Sequence, residues 1–341
     1  MAKKVLVTGG TGYIGSHTAV ELQQAGYDVS VIDSLHNSEI SVLKGIEGVT
    51  GRAPRFDQFD LCDSIKLHSF FENHSGIEAI VHFAAYKAVG ESVYRPMMYY
   101  RNNLVSLMNL LAMMSEFGIR NMVFSSSCTV YGQPTKLPVT EDAPIQPALS
   151  PYGNTKQICE EIIKDTVRSG ESVKAISLRY FNPIGAHPSA LIGELPRGVP
   201  ENLVPFITQT AIGLREQLKV YGDDYDTPDG SCIRDYLHVV DLAKAHVISV
   251  TRLIENTNRN DYEVFNLGTG KGVSVLEAIS SFERVSGIKL NYQVVGRRPG
   301  DIEQIWADPS YANRELGWKT VSSLDEAMKS AWDWEKQYRN K

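Results

Sequence analysis

Apolar runs and helical periodicity alternate from the first residues of the chain. The run at residues 5–8 predicts a buried strand, and apolar positions at helical spacing from about residue 14 to residue 24 predict a helix that ends before Gly26. A second apolar run, residues 29–33, predicts the next strand and ends in an acidic residue, Asp33. These elements form one strand–helix–strand unit with glycines at its first turn.

The same alternation continues to about residue 180. It predicts strands at 54–59, 78–84, 121–127 and 174–179, and helices at 64–74, 97–117 and from Pro151 onward. After residue 182 prolines are frequent and the alternation loosens. We therefore expect an α/β fold with a doubly wound parallel sheet of the Rossmann type over residues 1–181, with ligands at the carboxyl ends of its strands. Residues 182–341 are expected to form a smaller mixed α/β substrate domain, with some segments packing back on the first domain.

The first predicted turn has the residues that dinucleotide binding requires. Gly9, Gly12 and Gly15 would allow a tight turn, close approach of the backbone to a pyrophosphate and close helix–strand packing. The helix N-terminus that follows attracts phosphate. Asp33 would accept a hydrogen bond from a ribose 2′-hydroxyl and repel a 2′-phosphate, which favours NAD over NADP. The alternative is an ordinary structural turn followed by an acid at the start of a loop.

A second motif places a phenol and an ammonium on one helical face. Ser150 suits an N-cap and Pro151 a first helical position, so Tyr152 and Lys156 lie four residues apart on a new helix. A positive charge about 5 Å away, at an effective dielectric near 20, lowers the pKa of a phenol by about two pH units. With a nicotinamide cation nearby, Tyr152 would act as a general base near pH 7. The same spacing also occurs by chance on helix surfaces.

Composition excludes several classes of partner. The net charge of −6 argues against nucleic acid or an anionic membrane surface, and no apolar run reaches the roughly 18 residues of a membrane span. The chain enters a strand pattern at once, so we expect no signal peptide. The four cysteines are far apart and are expected to be reduced thiols, as in a cytoplasmic protein. The eight histidines form no ligand pairs, and no metal site is expected.

Taken together, the glycine turn, Ser127 and the Tyr152-x-x-x-Lys156 motif resemble the extended short-chain dehydrogenase/reductase superfamily. Within it, the chain is similar to the UDP-glucose (UDP-galactose) 4-epimerases over essentially its whole length. The stretches that carry this resemblance are residues 7–18, 82–84, 87–92, 124–127, 129–132, 178–188, 234–236 and 297–301.

The resemblance implies an epimerase that holds NAD tightly and acts on UDP-galactose and UDP-glucose. Tyr152 would exchange the proton of the sugar 4-hydroxyl, Ser127 would relay it, and Lys156 would bind the nicotinamide ribose. The implied cofactor-binding residues are Gly9, Gly12, Tyr13, Ile14, Gly15, Asp33, Asn37, Ser38, Asp60, Leu61, Phe83, Ala84, Lys87, Asn102, Ser127, Tyr152, Lys156 and Phe181. The implied substrate-binding residues are Lys87, Ser127, Tyr152, Asn182, Asn202, Leu203, Val220, Tyr221, Arg234, Arg298, Asp301 and Ile305.

Two of the substrate-binding residues have a physical reason to be there. The guanidinium groups of Arg234 and Arg298 match the oxygens of a pyrophosphate, although both could instead be surface salt-bridge partners. The resemblance also implies a homodimer built from the helices at about 97–117 and 152–169. The first helix carries apolar residues at helical spacing (Leu104, Leu107, Met108 and Leu111) that could equally be core, and from sequence alone core is the expected use.

Two positions depart from the family pattern. Cys128 follows Ser127 where the family has a small residue, and a buried inert thiol is its expected role. Ile305 stands where the family places a residue that limits space beside the sugar C2 substituent; a large Tyr goes with plain hexoses and a small residue with N-acetylated ones. Ile is intermediate, so a UDP-N-acetylglucosamine 4-epimerase or one of dual specificity remains an alternative.

A 4,6-dehydratase and a catalytically idle NAD-binding protein fit the residues less well than an epimerase. A 4,6-dehydratase would need an acid/base pair beside Ser127, and the next residues, Cys128 and Thr129, carry no carboxylate. The same residues would also serve a net reductase, which would consume added NADH. A catalytically idle NAD-binding sensor would be expected to lack Tyr152 or Lys156, and both are present.

Overall fold

The computed structural model describes residues 2–298 and 301–340, which divide into two compact units. Unit 1 consists of Met1–Gln133, Pro144–Arg179 and Ala243–Phe265. Unit 2 consists of Pro134–Ala143, Tyr180–Leu242 and Asn266–Lys341. Residues 243–265 lie beyond the predicted domain boundary at residue 181 and belong to unit 1.

The described residues form helices and short strands in alternation. The strands are β1 Lys4–Thr8, β2 Asp28–Asp33, β3 Arg55–Gln58, β4 Ile77–His82, β5 Asn121–Ser125, β6 Lys174–Tyr180, β7 Asn182–Ile184, β8 Leu218–Tyr221, β9 Ile233–Arg234, β10 Tyr236–His238, β11 Tyr262–Leu267, β12 Val273–Ser274, β13 Tyr292–Val295 and β14 Gln304–Ile305. The helices are α1 Tyr13–Gln24, α2 Val42–Thr50, α3 Ser64–Asn73, α4 Val89–Tyr94, α5 Pro96–Glu116, α6 Pro151–Arg168, α7 Leu203–Ala211, α8 Val239–Ile254, α9 Val275–Ser286, α10 Ser310–Glu315 and α11 Leu324–Arg339. A 3₁₀ turn spans Cys128–Tyr131.

Unit 1 is built on a seven-stranded sheet in the order β11-β6-β5-β4-β1-β2-β3. The neighbouring pairs from β3 to β6 are parallel. The order reverses at β1, where a doubly wound sheet binds its ligand. The predicted Rossmann-type fold is confirmed, and the strands and helices expected up to residue 180 lie within about two residues of those observed.

The core of unit 1 forms because the central strands are apolar on both faces. Leu6, Ile80 and Phe124, on three neighbouring strands, are at most 1% exposed and pack with Leu107 of α5. Burying each such side chain contributes roughly 1.5–3 kcal/mol. Leu111 also belongs to this core, whereas Met108 is 45% exposed. The apolar stripe of α5 is therefore mostly core.

Unit 2 contains small sheets packed with helices. β10 pairs with β7 and β13 with β8, both in parallel, and β9 lies between β12, which is antiparallel to it, and β14, which is parallel. Helices α7, α9 and α11 supply much of the core, with Ile207, Phe282 and Met328 fully buried. This is the mixed α/β character expected for the second part of the chain.

Among the described residues, no helix combines the length and apolar character that crossing a membrane requires.

Candidate active site

The turn between β1 and α1 is too tightly packed for side chains at its glycines. A Cβ added to Gly15 would lie 2.3 Å from the carbonyl oxygen of Gly9, and one on Gly9, whose φ is +72°, would lie 2.8 Å from the backbone nitrogen of Ala84. Gly12 precedes α1, and among the described residues no side chain caps the helix there. The first N–H groups of α1 are therefore suited to bind an anion such as a phosphate.

Asp33 closes the same turn from the end of β2. Its carboxylate accepts hydrogen bonds from Thr11 N at 3.2 Å, Leu35 N at 2.9 Å and Ser38 Oγ at 3.1 Å. The Ser38 hydroxyl lies a further 2.7 Å from Thr11 Oγ1. A carboxylate has about four acceptor positions, so Asp33 retains capacity for a ribose hydroxyl. Its fixed negative charge opposes a phosphate at that position.

Several other residues predicted to bind the cofactor follow the carboxyl ends of the strands of unit 1. Asp60 accepts from the backbone of Cys62 at 2.9 Å, and the Asn102 amide lies 3.9 Å from the Cys62 sulfur. Phe83 donates its N–H to Thr8 at 3.0 Å, at the end of β1. Of the remaining predicted residues, Tyr13 and Ile14 open α1, Leu61 is buried, Asn37 and Lys87 are exposed in loops, and Phe181 lies in unit 2.

The predicted Tyr–Lys helix begins where the sequence places it. Pro151 is the first residue of α6, and the Ser150 hydroxyl accepts from Gly153 N at 3.1 Å. The ammonium of Lys156 lies 6.0 Å from the centre of the Tyr152 ring, so the two side chains are neighbours on one face. Lys156 is 4% exposed and donates to the carbonyl of Ser125, at the end of β5, at 2.6 Å.

Burial determines the charge states of Lys156 and of the two groups near it, His82 and Cys159. It lowers the pKa of Lys156 to about 8, against a smaller opposing effect of the Cys159 and Glu160 side chains. His82, at the end of β4, has its pKa lowered to about 3 by burial and then by the charge of Lys156. The pKa of Cys159 is raised to about 11, mainly by burial. At neutral pH Lys156 is therefore the cationic member of this group, with a neutral imidazole and a neutral thiol beside it.

Ser127 lies on a turn that packs against the start of α6. Its side chain accepts from Thr129 N at 3.2 Å and caps the 3₁₀ turn. A Cβ on Gly153, next to Tyr152, would lie 3.4 Å from the Thr129 carbonyl, so the helix and the turn touch closely. The amide of Gln157 binds the Val130 carbonyl at 2.8 Å. The structure thus brings the segments that carry Ser127, Tyr152 and Lys156 together.

A buried ion pair that was not predicted from the sequence supports these residues. Glu160 and Arg179 are 3% and 4% exposed and form a two-pronged contact, with Arg179 Nε 2.9 Å from Glu160 Oε1. Ser126 donates its hydroxyl to the same oxygen at 2.6 Å, and Arg179 NH1 lies 3.0 Å from the Tyr131 hydroxyl. One signal was available, because Glu160 continues the four-residue spacing of Tyr152 and Lys156.

In unit 2, the two arginines predicted to bind a pyrophosphate share one carboxylate. Asp301 lies 2.7 Å from Arg298 NH2 and 4.0 Å from Arg234 NH2. Arg234 NH1 also donates to the carbonyl of Ile233 at 2.8 Å. Asp301 therefore holds two guanidinium groups near each other. Pro299 and Gly300, which belong to the same sequence stretch, lie outside the described residues.

The other residues predicted to bind substrate occupy the ends of short elements of unit 2. Asn182 opens β7, Asn202 precedes α7 and Leu203 begins it. Val220 is 1% exposed and belongs to the core, while Tyr221 beside it is 38% exposed and lies under Arg298, with the guanidinium 5.3 Å from the ring centre. Ile305 is buried on β14. In the part of the chain that the structure describes, no cluster of side chains is suited to hold a metal ion.

Comparison with known proteins agrees with this arrangement. Residues 6–331 match the family model described as GDP-mannose 4,6 dehydratase. A UDP-glucose 4-epimerase from Mus musculus is 49% identical over 98% of this chain and 97% of its own length.

Two solved structures are similar to the whole chain. One is a UDP-glucose 4-epimerase from Stenotrophomonas maltophila with bound NAD and formylated UDP-arabinopyranose, at a TM-score of 0.95 and 46% identity, covering 99% of both chains. The other is the Bifidobacterium longum enzyme in complex with NAD⁺ and UDP, at a TM-score of 0.94 and 44% identity, again over 99% of both chains. With nearly half of the residues shared from end to end and the glycine turn, Ser127 and the Tyr152–Lys156 pair all in place, the chain belongs to the UDP-glucose 4-epimerase family of the extended short-chain dehydrogenases/reductases.

Proposed function

We propose that the chain interconverts UDP-galactose and UDP-glucose by removing and restoring hydrogen at C4 of the sugar. The observation that carries this proposal is the position of Lys156, a buried ammonium 6.0 Å from the Tyr152 ring, beside the turn that carries Ser127. A general base that works at neutral pH needs that charge.

The residues of unit 1 fit NAD. Close contacts exclude side chains at Gly9 and Gly15, so a cofactor can approach the backbone at the start of α1. No described side chain caps the helix at Gly12, so its first N–H groups can bind the pyrophosphate. Asp33 would receive the adenosine ribose and would exclude the 2′-phosphate of NADP. NAD held by these residues would supply reversible hydride transfer at C4 of the sugar.

The protein residues move the proton of the 4-hydroxyl. At a separation of 6.0 Å and an effective dielectric near 20, the Lys156 ammonium favours the Tyr152 phenolate by roughly 3 kcal/mol. Tyr152 takes the 4-hydroxyl proton as C4 is oxidised and gives it back when C4 is reduced. Ser127, whose hydroxyl accepts a hydrogen bond from Thr129 N, would hydrogen-bond the same oxygen. Proton and hydride both return to the sugar, so no net oxidation occurs.

The residues of unit 2 would bind the rest of the nucleotide sugar. Arg234 and Arg298 are suited to the pyrophosphate because Asp301 holds both cations and each has N–H donors beyond those that bind Asp301 and the backbone. Asn182, Asn202 and Leu203 would contact the sugar and phosphates, and Val220 and Tyr221 the uridine. Ile305 would lie beside the C2 substituent of the sugar. Because its side chain is of intermediate size, a UDP-N-acetylglucosamine 4-epimerase or one of dual specificity is the alternative.

The test is conversion of UDP-galactose by the purified protein without added cofactor, followed by NMR, with UDP-N-acetylgalactosamine in a parallel reaction. We expect the C4 epimer to appear while the total UDP-sugar stays constant. Tyr152→Phe should retain NAD and lose turnover. Absence of conversion of both sugars, even with NAD supplied, would contradict the proposal, and consumption of added NADH in proportion to product would indicate a net reductase.

We further propose that the protein is a cytoplasmic homodimer. Exposed apolar side chains on α4 and α5, including Tyr94 at 87% and Met97 at 74%, support a protein interface in this region. The four cysteines form no disulfide in the described part of the chain, which fits a reducing compartment. Sedimentation equilibrium of the wild type and of a Tyr94→Glu/Met97→Glu variant tests the dimer, since only the variant should be monomeric.

A further inference from the structure

A buried carboxylate in unit 2 has every acceptor position filled by the protein itself. Asp235 has no exposed surface. Its Oδ1 accepts from Thr269 N at 2.8 Å and from Thr269 Oγ1 at 2.7 Å, and its Oδ2 accepts from Gly270 N and Ala307 N, both at 3.2 Å. Four donors saturate a carboxylate, so Asp235 has no position left for a ligand. Its function must lie in what it holds together.

The segments that Asp235 joins carry residues proposed to bind the UDP-sugar. Arg234 precedes Asp235 directly in the chain, and the backbone carbonyl of Asp235 accepts from Asn182 N at 2.9 Å. Ala307 follows Ile305 by two residues. Asp235 thus joins the segment that bears Asn182 through its backbone and the segment that follows Ile305 through its side chain.

The strands concerned are too short to fix their own alignment. β9 and β14 each contain two residues, and Ile305 pairs with Arg234 in this ladder. A ladder of this length has few hydrogen bonds, and a slip of one residue would move Ile305 away from its position. The bond from Ala307 N to Asp235 is a further tie between the two segments.

Close packing leaves the carboxylate little freedom. A Cβ on Gly268 would lie 2.3 Å from Asp235 Oδ2 and 2.7 Å from the Ala307 side chain. Burial raises the pKa of Asp235, although the donors from Thr269, Ala307 and Gly270 oppose that rise. Burying a charge costs free energy, and apolar packing could join these segments without that cost. The carboxylate instead joins them through hydrogen bonds of defined geometry.

We propose that Asp235 is a positioning residue for UDP-sugar recognition, which holds the Thr269–Gly270 turn and β14 so that Arg234 and Ile305 keep the spacing that the nucleotide sugar requires. The inference rests on the proposed function of Arg234 and Ile305. It assigns no direct contact with the substrate to Asp235.

The test compares Asp235→Asn with Asp241→Asn in the full-length, NAD-loaded protein. Asp241 is a matched control, since it is also buried in unit 2 and its carboxylate accepts from two backbone groups, Val321 N at 3.0 Å and Ser322 N at 2.9 Å. The Asp235 amide must turn its NH2 group toward two of the four donors, whereas the Asp241 amide can keep its oxygen on both Val321 N and Ser322 N. Asp241→Ala, which leaves both backbone groups without that acceptor, is therefore measured as well to match the loss of stability in urea, and it too should leave KM and Kd unchanged. The two aspartates differ in whether the segments they join carry residues proposed to bind the UDP-sugar.

We expect Asp235→Asn to raise the KM for UDP-galactose and the calorimetric Kd for UDP by about tenfold, the effect of about one charge-assisted hydrogen bond. Its kcat at saturating substrate and its bound NAD should remain within about twofold of wild type, a split that general loss of stability would not produce. Asp241→Asn should leave KM, Kd and kcat unchanged. Equal values of KM and Kd in the two variants would overturn the proposal.

Two milder variants keep the test decisive if Asp235→Asn fails to fold. Thr269→Val removes one of the four donors, and Gly268→Ala pushes a methyl group toward Oδ2; each should weaken UDP binding by a factor of about three or more. Unchanged UDP affinity in both would refute the inference. A wild type that binds UDP without converting UDP-galactose would contradict the epimerase activity alone, while UDP affinity would still decide the role of Asp235; a wild type that does not bind UDP would contradict both.

Discussion

Replacing Lys156 with methionine removes a buried positive charge 6.0 Å from the centre of the Tyr152 ring while keeping most of the side-chain volume. That charge favours the phenolate by roughly 3 kcal/mol at an effective dielectric near 20, which corresponds to about two orders of magnitude in the reactive fraction of Tyr152 at neutral pH. We therefore expect kcat at pH 7 and saturating NAD to fall about a hundredfold.

The dependence of this loss on pH distinguishes electrostatics from simple disruption. Because burial lowers the pKa of Lys156 to about 8, its ammonium is charged below that pH and neutral above it. The ratio of wild-type to variant kcat should therefore be largest at or below pH 7 and should shrink above pH 8. Initial rates of UDP-galactose conversion from pH 6 to pH 10 measure this ratio.

Stability provides a second measurement with a defined sign. The folded pKa of Lys156 lies below the ordinary value of 10.5, so the unfolded chain binds the extra proton between about pH 8 and 10.5. The stability of the wild type relative to the variant should rise across this window by roughly 3 kcal/mol in cofactor-free protein. Lys164→Met, at an ion-paired lysine two turns further along α6, is the control and should change neither quantity. A kcat ratio that is constant with pH would refute the reasoning.

Three further predictions follow from the packing. Gly15→Ala should lose bound NAD and about 1–3 kcal/mol of stability, measured by cofactor absorbance and urea unfolding, because its Cβ would meet the Gly9 carbonyl at 2.3 Å; full NAD content would contradict this. Glu160→Gln should lower the free energy of unfolding in urea by about 3–5 kcal/mol, because it leaves Arg179 buried without its charged partner. The double variant Glu160→Met/Arg179→Met should regain most of that stability. Equal losses of stability in the single and the double variant would be inconsistent with an uncompensated charge. Ile305→Gly should raise kcat/KM for UDP-N-acetylgalactosamine relative to UDP-galactose by at least about tenfold, with Ile305→Tyr shifting the ratio the other way; an unchanged ratio in both variants would place Ile305 away from the sugar.

Local chemistry explains why much of the first unit could be predicted. The helix with Tyr152 starts at Pro151 because a serine cap and a proline act within four residues, and Gly26 follows the first helix because its φ of +90° suits glycine. Helices α2 and α4 were not predicted, since α2 contains two glycines, which weaken the helical signal, and α4 has only six residues.

Features that depend on distant segments could not be predicted. The lowered pKa of Lys156 depends on its burial against β5, a contact that the spacing of Tyr152 and Lys156 does not show. Asp235 is an ordinary aspartate in the sequence, and its role becomes visible only when Thr269 and Ala307 are folded around it. The assignment of the individual binding residues stays a prediction until variants are measured.

The edge strand β11 of the main sheet affects both the synthesis and the truncation of this polypeptide. β11 covers the outer side of β6, yet it is synthesised more than eighty residues later, after about half of the second unit. Until then β6, whose side chains are almost all buried in the finished fold, is an open edge that can pair with another chain. A fragment that stops at residue 181 would keep the glycine turn and the tyrosine helix but expose that edge permanently, so it should aggregate. Nascent chains should need to be protected by chaperones until β11 has been synthesised.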